Sequence, residues 1–324
     1  MSALRTLLVI AAALAPLGPS HAQAPAADLS AARSVRMVVP LPAGGPSDFI
    51  ARLAAQHLSE ALGQPVVVEN KPGANGLIAA REVAATGGDG QVVLYAPGSM
   101  IATPLLARDP GFDWTRELAP LGKIGRVPFG LAVHPGVPAT SVAELATLAR
   151  QQPGALNVAT STPSEVMAAA QFMKAARATL TRVPYKGAQQ AMPDLLAGRV
   201  QLMFGPLSAL QPQVRSGALR LLAVLGSERS AAWPDVPTLG EAGFPGVAVP
   251  TWQALYVPVR VDGARQARLA QAVQAVAARP DVQAELGRRL LAAEAASPQE
   301  LSATIRHELA DWAALIDEYR LTAD

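Results

Sequence analysis

No cysteine occurs anywhere in the 324 residues, which excludes disulfides and also a lipid-modified cysteine at a processed N-terminus. Histidine is scarce: His21, His57, His134 and His307 lie in separate segments with no H-x-x-x-H spacing, so no metal site is expected, and His57 is expected on a helix surface. G-x-S-x-G, the strand-to-helix elbow of many serine nucleophiles, is absent, and Ser99 has no histidine assigned near it. Neither G-x-x-x-x-G-K-[ST] nor G-x-G-x-x-G occurs, so nucleotide binding is unsupported and no cofactor is expected. Charge is also sparse, with 27 Lys and Arg against 25 Asp and Glu, which suggests no nucleic-acid partner.

What is present begins with one cation, Arg5, an apolar run over 7–17, then Gly18, Pro19 and small residues to Ala24. That order reads as a secretory signal peptide over 1–22. The run is shorter than the roughly 20 residues a bilayer demands and is broken by Pro16, which argues against an anchor. Cleavage fits after Ala22 and nearly as well after Ala24. The expected product is a soluble periplasmic protein, not a lipoprotein, of about 300 residues, enough for two ordinary domains.

Beyond residue 34, short β-branched runs alternate with Ala- and Leu-rich helical runs. Strands are predicted at 35–39, 65–69 and 91–96, with helices at 47–62 and 76–86 between them. The pattern repeats with strands at 130–133, 156–160, 180–183, 200–204 and 219–224 and helices at 141–151, 164–176 and 187–196. Ser141 and Glu144 form a capping-box signature. After a strand at 252–257 the chain is expected to be wholly helical over 262–319, with Ser297, Pro298 and Glu300 marking a helix start. The fold class that follows is α/β. Two similar domains, each a mixed, mostly parallel sheet flanked by helices, are joined by crossing strands with a cleft between them. Domain 1 is expected over 34–128 plus 250–324 and domain 2 over 129–249.

The loop after the first strand reads Pro42-Ala43-Gly44-Gly45-Pro46-Ser47-Asp48. Its glycines let backbone N–H groups approach a ligand, and the helix that follows presents free amides that favour an anion. It stands where open α/β sheets bind ligands, outside the carboxyl ends of the strands. Alone it reads more readily as an ordinary strand-to-helix turn. Further small, polar strand-end loops, at Gly98-Ser99, at Thr160-Ser161-Thr162-Pro163-Ser164 and at Gly205, supply hydroxyls and amides able to share a carboxylate's charge without an arginine. Lys186 is expected to be solvated, and Trp252 to pack at the hinge.

Together the segments VPLPAGGPSDFIARLAAQHLSEALGQPVVVENKPGANG, VPYKGAQQAMPDLLAGRVQLMFGP, GALRLLAV and WPDVPTLGEAGFPG resemble the Bug-type receptors of tripartite tricarboxylate transporters. The resemblance implies a type II periplasmic binding-protein fold that closes on a small organic carboxylate, is not an enzyme, and hands its ligand to integral membrane transporter subunits. It places Pro42, Ala43, Gly44, Gly45, Ser47 and Asp48 at one carboxylate. The remaining contacts fall on loops matching Gly98, Ser99, Thr160, Ser161, Thr162, Ser164, Tyr185, Gly187 and Gly205. A monomer is expected.

Departures from the family pattern bear on the ligand. Ala43 stands where a second proline is common, ATSTPS replaces a longer glycine-rich loop, Gln91 follows Asp89-Gly90 in place of an aromatic, and Gln201 replaces a usual aspartate. The domain 2 half of the pocket is therefore expected to be reshaped. The sequence leaves open which carboxylate is bound. It also leaves open a sensor that signals through the same closure, and a hydrolase or transferase built on the same fold.

Overall fold

The computed structural model describes residues 34–107 and 111–321; the expected signal peptide lies outside them. The strands are β1 (Val35–Val39), β2 (Val66–Asn70), β3 (Val92–Pro97), β4 (Leu118–Arg126), β5 (Phe129–Val133), β6 (Asn157–Thr160), β7 (Thr181–Pro184), β8 (Leu202–Pro206), β9 (Arg220–Leu225) and β10 (Trp252–Pro258). The helices are α1 (Pro46–Leu62), α2 (Leu77–Ala85), α3 (Thr103–Leu106), α4 (Trp114–Glu117), α5 (Val142–Gln151), α6 (Pro163–Ala176), α7 (Ala188–Leu196), α8 (Leu207–Arg215), α9 (Gly263–Ala277), α10 (Pro280–Gly287) and α11 (Pro298–Tyr319).

Two five-stranded sheets form, ordered β2-β1-β3-β10-β4 and β7-β6-β8-β5-β9. Each carries three parallel strands and one antiparallel strand, β10 in the first and β5 in the second, against which the fifth strand pairs. Both are the mixed, helix-flanked sheets the alternating pattern predicts. Strands buried on both faces need apolar residues in both registers of the pleat. In β1, Met37 and Val39 face the α1 and α9 side while Val38 faces α2, and in β10 Leu255 and Val257 oppose Ala254 and Tyr256 in the same way. In the second sheet, Leu131, Phe172 and Phe204 fill one side, and Ala132, Met203 and Leu195 the other.

The chain passes between the sheets at two neighbouring points, where Val127 N–H donates to Thr251 O at 2.8 Å. Helix α11 touches both lobes: Trp312 and Leu315 pack with Ala102 and Leu106 beside the first sheet and with Val166, Met167 and Ala170 of α6.

Three local expectations need correction. The segment between α10 and α11 is not helical: Arg126 N–H donates to Ala292 O at 2.7 Å and Lys123 N–H to Ala296 O at 3.3 Å, so it satisfies the open edge of β4. His57 is turned inward at 8% exposure, with Nδ1 3.4 Å from Glu60 Oε2. Half of the box at 141–144 forms. Ser141 Oγ accepts from Glu144 N–H at 3.2 Å, but the Glu144 carboxylate bonds Thr140 N–H and Oγ1 at 2.7 and 2.9 Å.

Candidate functional site

The turn from β1 into α1 is held by a single carboxylate. Gly44 adopts φ +88°, open to glycine at little cost, and its N–H donates to Asp48 Oδ2 at 2.9 Å. Arg52 Nε donates to the same oxygen at 2.9 Å, and Asn70 Nδ2 donates to Asp48 Oδ1 at 2.8 Å and to Leu41 O at 3.0 Å. Burial opposes the charged form of Asp48, but the bonds from Arg52, Gly44 and Asn70 together outweigh it and hold the carboxyl below its usual range. The loop is thus fixed from beneath, leaving its upper side to the cleft.

Next to it, Ser47 Oγ and the Tyr95 hydroxyl both donate to Gln253 Oε1, at 3.1 and 2.9 Å, while Gln253 Nε2 donates to Thr251 O at 3.1 Å. Burial pushes the Tyr95 phenol well above its ordinary value, so it remains a donor. Gln253 lies on β10 beside the crossover, which couples α1, β3 and the crossing segment at Thr251 through one amide.

The opposite wall comes from the second sheet. Residues 161 and 162 join β6 to α6, whose N-cap is Thr162; Gly187 is the N-cap of α7 and Pro206 that of α8. Ser164 Oγ donates to Pro250 O at 3.3 Å, tying α6 to the second crossing. Glu165, 1% exposed, accepts from Ser161 N–H and, at 2.7 Å, from Ser161 Oγ. Burial raises its carboxyl to about 7 against these bonds.

Between these walls lies a cavity of about 180 Å³. Pro42, Ala43, Gly45, Ser47, Asp48 and Ser99 line it from the first lobe, and Ser161, Thr162, Ser164 and Gly187 from the second. Five residues expected at the site stand outside its wall. Gly44 spends its amide on Asp48, and Gly98 backs onto the Trp252 ring. The Tyr185 hydroxyl donates to Asp194 Oδ2 at 2.8 Å, Thr160 O accepts from Tyr185 N–H at 2.8 Å, and Gly205 pairs with Gly130 across β5. Lys186 lines the cavity while remaining exposed, and no arginine does so among the described residues.

Leu41, Met100, Val127 and Phe129 give the cavity an apolar middle. The N-caps of α1, α6, α7 and α8 all reach the cavity, and none makes a side-chain capping bond. Of the other helices, α4, α5, α9 and α11 are capped by Asp113, Ser141, Asp262 and Ser297, while α2, α3 and α10 also lack a side-chain cap but do not open on the cavity. Uncapped helix N-termini converging on one space favour an anionic group there.

Sequence reading missed Gln253 and Glu165. Gln253 was findable as the one polar residue in the apolar run of β10. Glu165, three residues after Thr162, has the spacing of an ordinary cap partner and carries no other signal. Among the described residues no group of three or more His, Asp or Glu is arranged to hold a metal.

Two sheets of like topology around a ligand-sized cleft define a type II periplasmic binding protein. The family model described as "Tripartite tricarboxylate transporter family receptor" matches residues 50–321, and the chain belongs to that family. It is 34% identical over 268 residues to protein BugT of Bordetella pertussis, covering 81% of each chain. Among solved structures, R. palustris Rpa4515 with adipate superposes at TM-score 0.81 with 33% identity, covering 88% of this chain and 96% of that one. The periplasmic binding protein BugD superposes at 0.79 with 29% identity, covering 90% and 98%. MatC from Rhodopseudomonas palustris with bound malate superposes at 0.80 with 27% identity, covering 88% and 99%. The protein is therefore a solute-binding receptor and not an enzyme.

Proposed function

We propose that this receptor is exported by a cleaved signal peptide and captures a small organic carboxylate in the periplasm. The two lobes, 34–128 with 250–324 and 129–249, then close about the crossings near Val127 and Thr251, and the closed form is presented to the membrane subunits of a tripartite transporter. The observation that carries the reading is the convergence of four helix N-termini lacking side-chain caps on one cleft. Backbone amides hold a carboxylate without an opposing arginine, and an apolar middle accepts its carbon skeleton. The adipate and malate bound to two relatives support the same ligand class. Closure follows because a ligand bridging both walls binds the closed state better than the open one.

The test is a melting screen of the purified mature protein against mono-, di- and tricarboxylates, with recovery of the bound compound. A rise in Tm with at least one of them, and an unchanged ligand on recovery, is expected. No shift with any carboxylate sinks the reading. Small-angle scattering with and without that ligand should show compaction, and the liganded form should retain the transporter subunits on a column.

A further inference from the structure

The two walls of the cleft treat charge differently. On the first, Asp48 is neutralised by Arg52, whose Nε donates at 2.9 Å. On the second, Glu165 is buried and meets only the Ser161 N–H and hydroxyl and the Thr162 amide; among the described residues it forms no ion pair. Its carboxyl takes up the Ser161 and Thr162 N–H groups that lead into α6, donors that would otherwise be open to an anion. Helices α7 and α8 carry no acid in their first turns, so their N-termini keep their pull. Beside Glu165 on the same wall, Thr162 Oγ1 is buried without a hydrogen-bond partner.

We propose that Glu165 sets the chemistry of the ligand's second end: the preferred solute carries one carboxylate, held between loop 42–48 and the α7 N-terminus, and an N–H or O–H donor, not a second carboxylate, facing Glu165 and Thr162. This rests on the carboxylate-receptor reading and narrows its substrate class to amides, amino acids or hydroxy acids. A second ligand carboxylate at this wall would meet a buried, unpaired like charge, which is strongly unfavourable. An N–H or O–H donor instead meets an acceptor, and an ammonium meets a countercharge. The other ionisable groups lining the cavity are Asp48, already paired, and Lys186, exposed at the β7–α7 turn. Because burial raises the Glu165 carboxyl to about 7, the repulsion operates above that pH and fades below it.

Calorimetry with succinate, glutarate and adipate beside their half-amides tests this. At about pH 8 the tightest half-amide should bind at least about tenfold more strongly than its dicarboxylate. The ratio should fall severalfold near pH 6 in the native protein, and Glu165→Gln should lower it at pH 8 to a similar extent. A native protein that prefers the dicarboxylates at pH 8 overturns the inference alone, leaving the carboxylate receptor intact. So does a ratio indifferent to pH, a measurement that stands even where the variant fails to fold. Absence of binding by all six compounds, together with a silent carboxylate screen, removes the underlying reading and this inference with it.

Discussion

The indole of Trp252 occupies the space where a side chain on residue 98 would stand: a Cβ built on Gly98 falls 2.4 Å from Trp252 Cε2. The ring has little freedom to retreat, because its Nε1 donates to Glu308 Oε1 at 2.9 Å and Lys123 Nζ lies 5.6 Å from its centroid. Overpacking of this kind costs about 1–3 kcal/mol. Gly98→Ala should therefore lower the urea unfolding midpoint with little change in slope, and should weaken ligand binding through displacement of Ser99 and Met100. An unaltered midpoint would show that the strand end can shift to make room.

The two adjacent glycines of loop 42–48 should respond in opposite ways. Gly44 needs its positive φ, so Gly44→Ala should cost about 1 kcal/mol of stability through the backbone alone. Gly45 has φ −82° and ψ 171°, and no atom lies within 4 Å of the point a Cβ would occupy, so Gly45→Val should fold normally while its side chain intrudes on the cavity. The expected pattern is a lowered Tm for the first variant, and for the second a native Tm that no longer rises with ligand. Native affinity in Gly45→Val would remove that residue from the site.

Asp48 should make the loop acid-sensitive. Its carboxyl is held below the usual range in the folded protein, so its stabilisation is present above the unfolded value of about 3.9 and is lost as pH falls through the depressed folded value. Asp48→Ala should cost about 2 kcal/mol near pH 6, since the Gly44, Asn70 and Arg52 donors lose their shared acceptor. In urea titrations the gap between native and variant should shrink below about pH 4. A gap constant down to about pH 2 would mean the charge on Asp48 contributes nothing.

Both sheets and most of their helical covers were legible in the sequence because β-branched runs such as those of β1 and β2 alternate with apolar helices of clear period; helix α8, with Pro212 in its interior, was missed. Strand β4 was not, since Pro120, Gly122 and Gly125 interrupt it and its pairing with β10 carries two register shifts. The candidate site was legible at the level of loops: most residues of 42–48 and 161–164 meet, with Gly187, across the cleft. Which atom of each loop faces inward was not, because that depends on long-range bonds. Tyr185 turns to Asp194, Gly98 yields its face to Trp252, and Gln253 reaches Ser47 and Tyr95 from 206 and 158 residues away in the chain.

The place of β10 also constrains the order in which the molecule can assemble. It stands between β3 and β4, yet it follows the entire second sheet in the chain. All five strands of the second sheet lie between residues 129 and 225, so that lobe can close on itself as soon as its own residues are available. The first lobe has to wait: until residues 252–258 thread into the gap, β4 has no strand neighbour, and the apolar edge of β3 is open. Long-range pairing of this kind is slow and leaves aggregation-prone edges exposed meanwhile. The lobe that begins the chain is thus the last to be finished, and a truncation before residue 252 should leave the second lobe foldable but the first without its central seam.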